Sequence, residues 1–297
     1  MSQQTTHQTA QKTDFLWLEI TGKCQLQCQH CYAESGPSGT HGAMTAADWL
    51  SVIDQAASLG VSMIQLIGGE PTMHPQFAAL LAHAISKGLA VEVYTNLVRV
   101  RDSWWDLFAC PRVSLATSYY SDAPGEHDAI TRRAGSHART RANIAEAVRR
   151  GIPLRAGIIA TGDGRAAERA RAELAALGIT RTGTDHVRQV GRGAGPGGPG
   201  VTQLCGNCGR GVAAISATGE LWPCVFARWM PAGNVLRASL ADILASPAMA
   251  QAVAQIPGPR HTPAGPMMCD PRACKPSRPC NPDSNDGCSP SACRPTR

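Results

Sequence analysis

Residues Phe15–Tyr32 read FLWLEITGKCQLQCQHCY, a short apolar run that passes straight into Cys24, Cys28 and Cys31. The run Phe15–Ile20 has the length and composition of a first β-strand. The cysteines after it are spaced C-x3-C-x2-C. Three thiolates on one tight loop suit three irons of a [4Fe–4S] cluster and leave the fourth iron open to a small molecule, whereas four would close it. The alternative is zinc, whose ligands usually come as paired C-x2–4-C with a fourth ligand.

A second run, Met63–Ile67, ends in Gly68-Gly69-Glu70-Pro71. If both runs are strands of one parallel β/α sheet, the cysteine loop and this loop share its C-terminal edge, where active sites collect. Two glycines let a backbone approach a ligand closely, and a carboxylate beside them can meet an ammonium. By itself GGEP reads as a simple turn.

Outward from these loops, apolar runs alternate with helical periods to about Val190, as in βαβ units. Further strands are expected at Val91–Tyr94, Val113–Ala116, Leu154–Ile159 and His186–Val190. Helices are expected at Ala46–Leu59, capped by Thr45 with Asp48 at the capping-box position, and from Pro75 to Lys87. Others fall near Ser103–Phe108, Arg139–Arg150 and Arg165–Leu177. Six repeats predict a partial (β/α)6 TIM-like barrel, an α/β fold. Residues 1–14 read as a disordered tail and Gly191–Gly200 (GRGAGPGGPG, within a 191–204 linker) as a flexible connection. From 205 to 297 the composition changes: a hairpin at Val212–Ser216 and Glu220–Val225, then, after Pro257, a Pro- and Cys-rich stretch with no apolar core. Only metal is expected to order such a stretch.

Among 297 residues there are twelve cysteines. A leaderless chain with no apolar window long enough to span a bilayer points to the cytoplasm, where thiols stay reduced, and so to metal rather than disulfides. The formal charge of +6 counts cysteines as neutral. Eleven thiolates around three [4Fe–4S] clusters would cancel most of it. The basic residues are scattered, which argues against a nucleic-acid partner.

The combination of C-x3-C-x2-C with GGEP resembles the radical S-adenosylmethionine (SAM) superfamily, over about Phe15–Val190. That resemblance implies that Cys24, Cys28 and Cys31 hold the cluster whose open iron binds SAM. His30 would lie near adenine, and Gly68, Gly69 and Glu70 at the methionyl ammonium. Asn96, Thr117 or Ser118, and Arg155 would contact the rest of SAM, the last at its carboxylate. The family's Thr-Asn-Gly is here Thr95-Asn96-Leu97, and a capped turn or an arginine paired elsewhere is the alternative for these four.

Cys208, Gly219 and Cys224 are similar to the C-x(9–15)-G-x4-C opening of the SPASM extension of peptide-modifying radical SAM enzymes. With Cys205, Cys269, Cys274, Cys280, Cys288 and Cys293 they make eight ligands, enough for two closed auxiliary clusters. The spacings depart from the usual SPASM run, so one cluster with spare thiols, or zinc, remains open. Cys110 reads as a buried core residue or a hydrogen-atom donor. His41, His74, His127 and His137 are possible bases at the barrel mouth. The resemblance implies a maturase that cross-links a ribosomally made peptide, with peptide epimerisation or small-metabolite chemistry as alternatives. An electron carrier or zinc scaffold is the non-enzyme alternative. Expected partners are the peptide and a flavodoxin- or ferredoxin-like electron donor; since only fourteen residues precede the first strand, leader binding is expected from a separate leader-recognition protein or from the barrel and extension surfaces.

Overall fold

The structure is a computed structural model that describes residues 12–160 and 164–258. Strands β1 (Phe15–Thr21), β2 (Met63–Gly68), β3 (Ala90–Tyr94), β4 (Val113–Tyr119), β5 (Leu154–Ala160) and β6 (Thr182–His186) are parallel and lie in chain order. Helices α1 (Ala46–Ser58), α2 (Phe77–Ser86), α3 (Asp102–Phe108), α4 (Pro124–Thr131), α5 (Ser136–Arg149) and α6 (Arg165–Ala176) connect them. This is the six-repeat α/β architecture expected from the sequence. Parallel strands need crossovers of this length, and the crossovers cover the sheet. Every residue of β1 is accordingly buried.

The two faces of the strands do different work. Leu16, Leu18 and Ile20 pack with Ile64, Leu66, Val91 and Leu115 under the helices, against Trp49, Phe77 and Phe108. The alternate residues Phe15, Trp17, Met63 and Ile67 belong to a second apolar cluster shared with Cys205, Cys208, Cys224 and Trp222. Period-2 alternation thus sends one set to the helix layer and the other toward the cysteine-rich segment.

Local signals are realised where they were strongest. Thr45 Oγ1 accepts from Asp48 N at 3.2 Å while Asp48 Oδ2 accepts from Thr45 N at 2.8 Å, a complete capping box. Elsewhere the structure corrects the expected bounds. The sixth strand is Thr182–His186, not His186–Val190. Its sequence, TGTDH, carries no apolar run, because it is an outer strand held to β5 by backbone pairing. The Pro75 helix is preceded by a 3-10 turn at Pro71–Met73 and starts at Phe77, and α4 was not anticipated. Asp14, assigned to the tail, is tied in: its nitrogen donates to Gly211 O and its carbonyl accepts from Ser62 N.

The C-terminal hairpin forms from β7 (Val212–Ile215) and β8 (Glu220–Trp222), followed by β9 (Gly233–Asn234), α7 (Leu240–Leu244) and α8 (Pro247–Ala254). Strand β7 is also parallel to β1, with Phe15 opposite Val212 and Leu18 opposite Ile215. The sheet therefore runs β6-β5-β4-β3-β2-β1-β7-β8-β9 without a break.

Candidate functional site

The cysteine loop leaves the C-terminal end of β1. Cys24, Cys28 and Cys31 line one cavity with Gly68, Gly69, Asn96 and Ser118, so the C-terminal ends of four strands and their following loops converge as the sequence implied. Burial is the first cause that pushes the Cys24 and Cys28 thiols up, Cys28 to about 11. Glu70 and the neighbouring thiols add to the effect at Cys24, Cys31 to that at Cys28. Thiols so placed ionise readily only with a cation among them. Among the described residues no three His, Cys, Asp or Glu side chains close around a single-ion position. The three sulfurs instead face shared space.

The buried atoms His30 Nε2, Ser35 Oγ and Gln65 Oε1 have no hydrogen-bond partner, and all three residues line this cavity. Native proteins rarely leave buried polar atoms unsatisfied, so a cluster of them around one cavity marks the seat of a polar ligand. The residues present fit SAM and an iron–sulfur cluster.

Gly68 and Gly69 line the cavity and also let the backbone pack closely. Gly68 has φ +137°, and a side chain on it would run into the Thr21 carbonyl; one on Gly69 would run into Lys23 O. Their bareness lets β2 dock against the cysteine loop, with Gly69 N donating to Thr21 O at 2.6 Å and Glu70 N to Lys23 O at 2.9 Å.

The Glu70 carboxylate is held by the protein itself. It is 1% exposed and accepts from Thr72 Oγ1 (2.6 Å), Thr95 Oγ1 (2.8 Å) and Asn96 N (2.9 Å). A carboxylate with these neighbours organises the loops after β2 and β3. Asn96 in turn accepts from Gln25 Nε2 at 2.9 Å and points Nδ2 at Cys24 Sγ, 3.7 Å away. Leu97, where the family pattern has glycine, adopts the left-handed conformation at φ 55° and is fully buried.

Ser118 lines the cavity and shares a 3.1 Å hydrogen bond with Tyr94 OH; Thr117 is fully buried and is not among the lining residues. Arg155 is paired elsewhere. Its Nε and Nη2 donate to the two oxygens of buried Glu92 at 2.8 and 2.7 Å, and Gln65 Nε2 also bonds Glu92. Such a bidentate pair fixes the orientation of the guanidinium.

Cys110 sits in the helix-side core just before β4, at the edge of the sheet opposite the cavity. His41 and His74 stack edge to face at 5.3 Å outside the cavity lining. His137 bonds Tyr119 OH at 2.8 Å, and of the four histidines His127 lines the cavity.

Cys205, Cys208 and Cys224 are buried together: Cys208 Sγ lies 2.6 Å from Cys224 Sγ and bonds Cys205. Those hydrogen bonds, then burial, push the Cys208 thiol far up. Cys269, Cys274, Cys280, Cys288 and Cys293 lie outside the described residues. Residues that sequence reasoning missed complete the cavity, among them Trp17, Tyr120, Arg188, Arg192 and Phe226. Arg228, beyond Cys224, pairs with buried Glu19 of β1 at 2.6 Å and lies over the Trp222 ring at 4.3 Å. Nothing in local pattern marks these partners, because each contact joins distant parts of the chain.

Residues 18–177 match the family model described as "Radical SAM superfamily", and residues 205–275 match the SPASM model, an iron–sulfur cluster-binding domain. The chain belongs to the radical SAM superfamily. It is a radical SAM enzyme whose cofactors are SAM and [4Fe–4S] iron, with auxiliary iron–sulfur in its C-terminal region.

It is 34% identical over 140 residues to the PqqA peptide cyclase of Ruegeria pomeroyi, a match covering 46% of this chain and 37% of that protein. It is 35% identical over 80 residues to the S-adenosylmethionine-dependent nucleotide dehydratase of Selenomonas ruminantium, covering 27% of this chain and 28% of that one. The chain thus aligns with little more than a third of the cyclase's length. The fold resembles the crystal structure of Streptococcus suis SuiB bound to S-adenosylmethionine, with TM-score 0.67 and 15% identity over 80% of this chain and 67% of that one. No helix among the described residues is long and apolar enough to cross a membrane.

Proposed function

We propose that this enzyme matures a ribosomally synthesised peptide by closing an intrapeptide cross-link. Cys24, Cys28 and Cys31 hold the SAM cluster, and Cys205, Cys208 and Cys224, with ligands from Cys269, Cys274, Cys280, Cys288 and Cys293, hold the auxiliary clusters. When bound, SAM and its cluster supply a 5′-deoxyadenosyl radical that takes a hydrogen atom from substrate. The chain's own residues bind, orient and keep water out: His30, Asn96 and Ser118 offer polar contacts, and Trp17, Tyr94, Ile159 and Phe226 form apolar wall.

One observation carries the choice of cross-linking. Val225 and Phe226, directly after Cys224, line the same cavity as Cys28 and Cys31. Cross-linking removes two hydrogens and leaves a surplus electron, so it needs an acceptor beside the site. Epimerisation needs a hydrogen donor instead, and Cys110 lies at the opposite edge of the sheet. The resemblance to a peptide cyclase supports the substrate class. A flavodoxin- or ferredoxin-like donor supplies electrons, and a separate protein presents the peptide leader.

The experiment is anaerobic incubation of reconstituted enzyme with SAM, reductant and the peptide encoded beside its gene. Cross-linking appears as the loss of two hydrogens in the product mass, together with 5′-deoxyadenosine. An unchanged mass with inverted stereochemistry would establish epimerisation instead. A Cys24→Ala, Cys28→Ala, Cys31→Ala variant should release no 5′-deoxyadenosine and lose about four irons.

A further inference from the structure

The glycine-rich stretch after β6 does more than connect. Its first residues form a 3-10 turn, Gly191–Gly193, packed on the cysteine loop. Arg192 Nε donates to Cys28 O at 2.8 Å, its Nη2 donates to Ser35 O at 2.7 Å, and its backbone nitrogen donates to Cys31 O at 3.0 Å. One residue thus grips the loop at its second cysteine, its third cysteine and its far end. The approach is as close as a backbone permits: a methyl on Gly191, at φ +58°, would run into the carbonyls of Cys31 and Tyr32.

The charge of Arg192 is distinctive as well as its reach. Two arginines line the cavity, and Arg188 is bound by the Asp185 carboxylate at 2.8 Å. Among the described residues no carboxylate pairs with Arg192. Its guanidinium therefore presents an uncompensated positive charge beside three thiols that must become thiolates to hold iron.

We propose that Arg192 is a positioning residue for the SAM cluster: its three hydrogen bonds hold the cysteine loop in register, and its charge offsets the negative charge of the ligated cluster. Loop carbonyls held by a charged donor are held tightly, because charge-assisted hydrogen bonds are about twice as strong as neutral ones. A cation beside the cluster loop favours the more negative, reduced state of the cluster, and so raises its reduction potential.

The test compares Arg192→Gln, Arg192→Lys and Gly191→Ala with wild type in the reconstituted full chain. The readouts are iron content, the EPR signal of the reduced SAM cluster with and without SAM, its midpoint potential, and hydrogen–deuterium exchange of residues 24–36. In Arg192→Gln, loop exchange should rise about tenfold or more, the equivalent of a lost charge-assisted bond. The potential should move to more negative values, and at least half of the SAM-cluster signal should be lost while auxiliary iron stays. Arg192→Lys keeps the charge but not the two-pronged grip, so it should keep the potential and still loosen the loop. Gly191→Ala should loosen the loop with the charge in place. If Arg192→Gln also loses auxiliary iron, the other two variants decide. Wild-type exchange, signal and potential in the variants that fold would overturn the assignment. None of these readouts needs a peptide, so the result stands apart from the identity of the substrate.

Discussion

Tyr32 and Phe226 meet edge to face, ring centroids 5.2 Å apart and planes at 68°. Tyr32 directly follows Cys31, and Phe226 lies two residues after Cys224, so the two cysteine motifs touch through their neighbours. Arg228 reinforces the seam, bonding Glu19 on one side and lying over Tyr32 at 5.9 Å. Such aromatic pairs add about 0.5–1.5 kcal/mol beyond their area burial, so the seam resists opening.

Glu70→Ala should destabilise the protein on the order of 3 kcal/mol, because it strands the hydroxyls of Thr72 and Thr95 and the amide of Asn96 in a buried place. SAM affinity should fall with it, through the displaced Asn96. Urea unfolding and SAM titration on the same variant check both. Full stability with affinity alone lost would return the carboxylate to the ligand.

Gly69→Ala should cost iron as well as SAM. The added methyl collides with Lys23 O, one residue before Cys24, so the damage passes directly to the cluster loop. Iron analysis after anaerobic reconstitution measures it. A variant with wild-type iron and only weakened SAM binding would contradict this reading.

Arg155→Ala should lower stability by about 3–5 kcal/mol, since it leaves the Glu92 carboxylate buried and uncompensated. Adding Glu92→Gln should recover a large part of that loss, the signature of a coupled pair. The SAM affinity of the double variant should stay near wild type. A large affinity loss in a stable Arg155→Ala protein would show that the guanidinium serves the ligand.

His127 gives the fold an acid sensitivity. Burial, and next the nearby His137, hold its imidazole down to about 4, below its ordinary 6.5. As pH falls from 7 toward 5 the unfolded chain takes up a proton that the folded chain refuses, so stability is lost on acidification. The contribution is about 2 kcal/mol between those pH values. His127→Gln should flatten that part of the pH profile, read from urea midpoints at pH 7 and pH 5. An unchanged slope would show that His127 titrates alike in both states.

Both loops that carry the chemistry were legible, because C-x3-C-x2-C and GGEP each follow a clear apolar run. The capping box at Thr45 and Asp48 was legible for the same reason: its cause lies within four residues. The sixth strand was misplaced because Thr182–His186 is held by backbone pairing and carries little apolar signal. The roles of Glu70, Arg155 and Arg192 depend on partners up to 164 positions away, which periodicity does not encode. The three donors that hold the Glu70 carboxylate, on Thr72, Thr95 and Asn96, were not legible in the motif.

The placement of β7 beside β1 bears on how the molecule is made. While the chain is still being synthesised, Phe15–Leu18 has no neighbour on that side until Val212–Ile215 emerges. A nascent sheet with an open apolar edge is prone to pair with other chains. Contacts between such distant segments are also slow to form. Iron loaded early would meet an unfinished sheet, so insertion of the N-terminal cluster in the cell should wait for this pairing although its ligands are translated first.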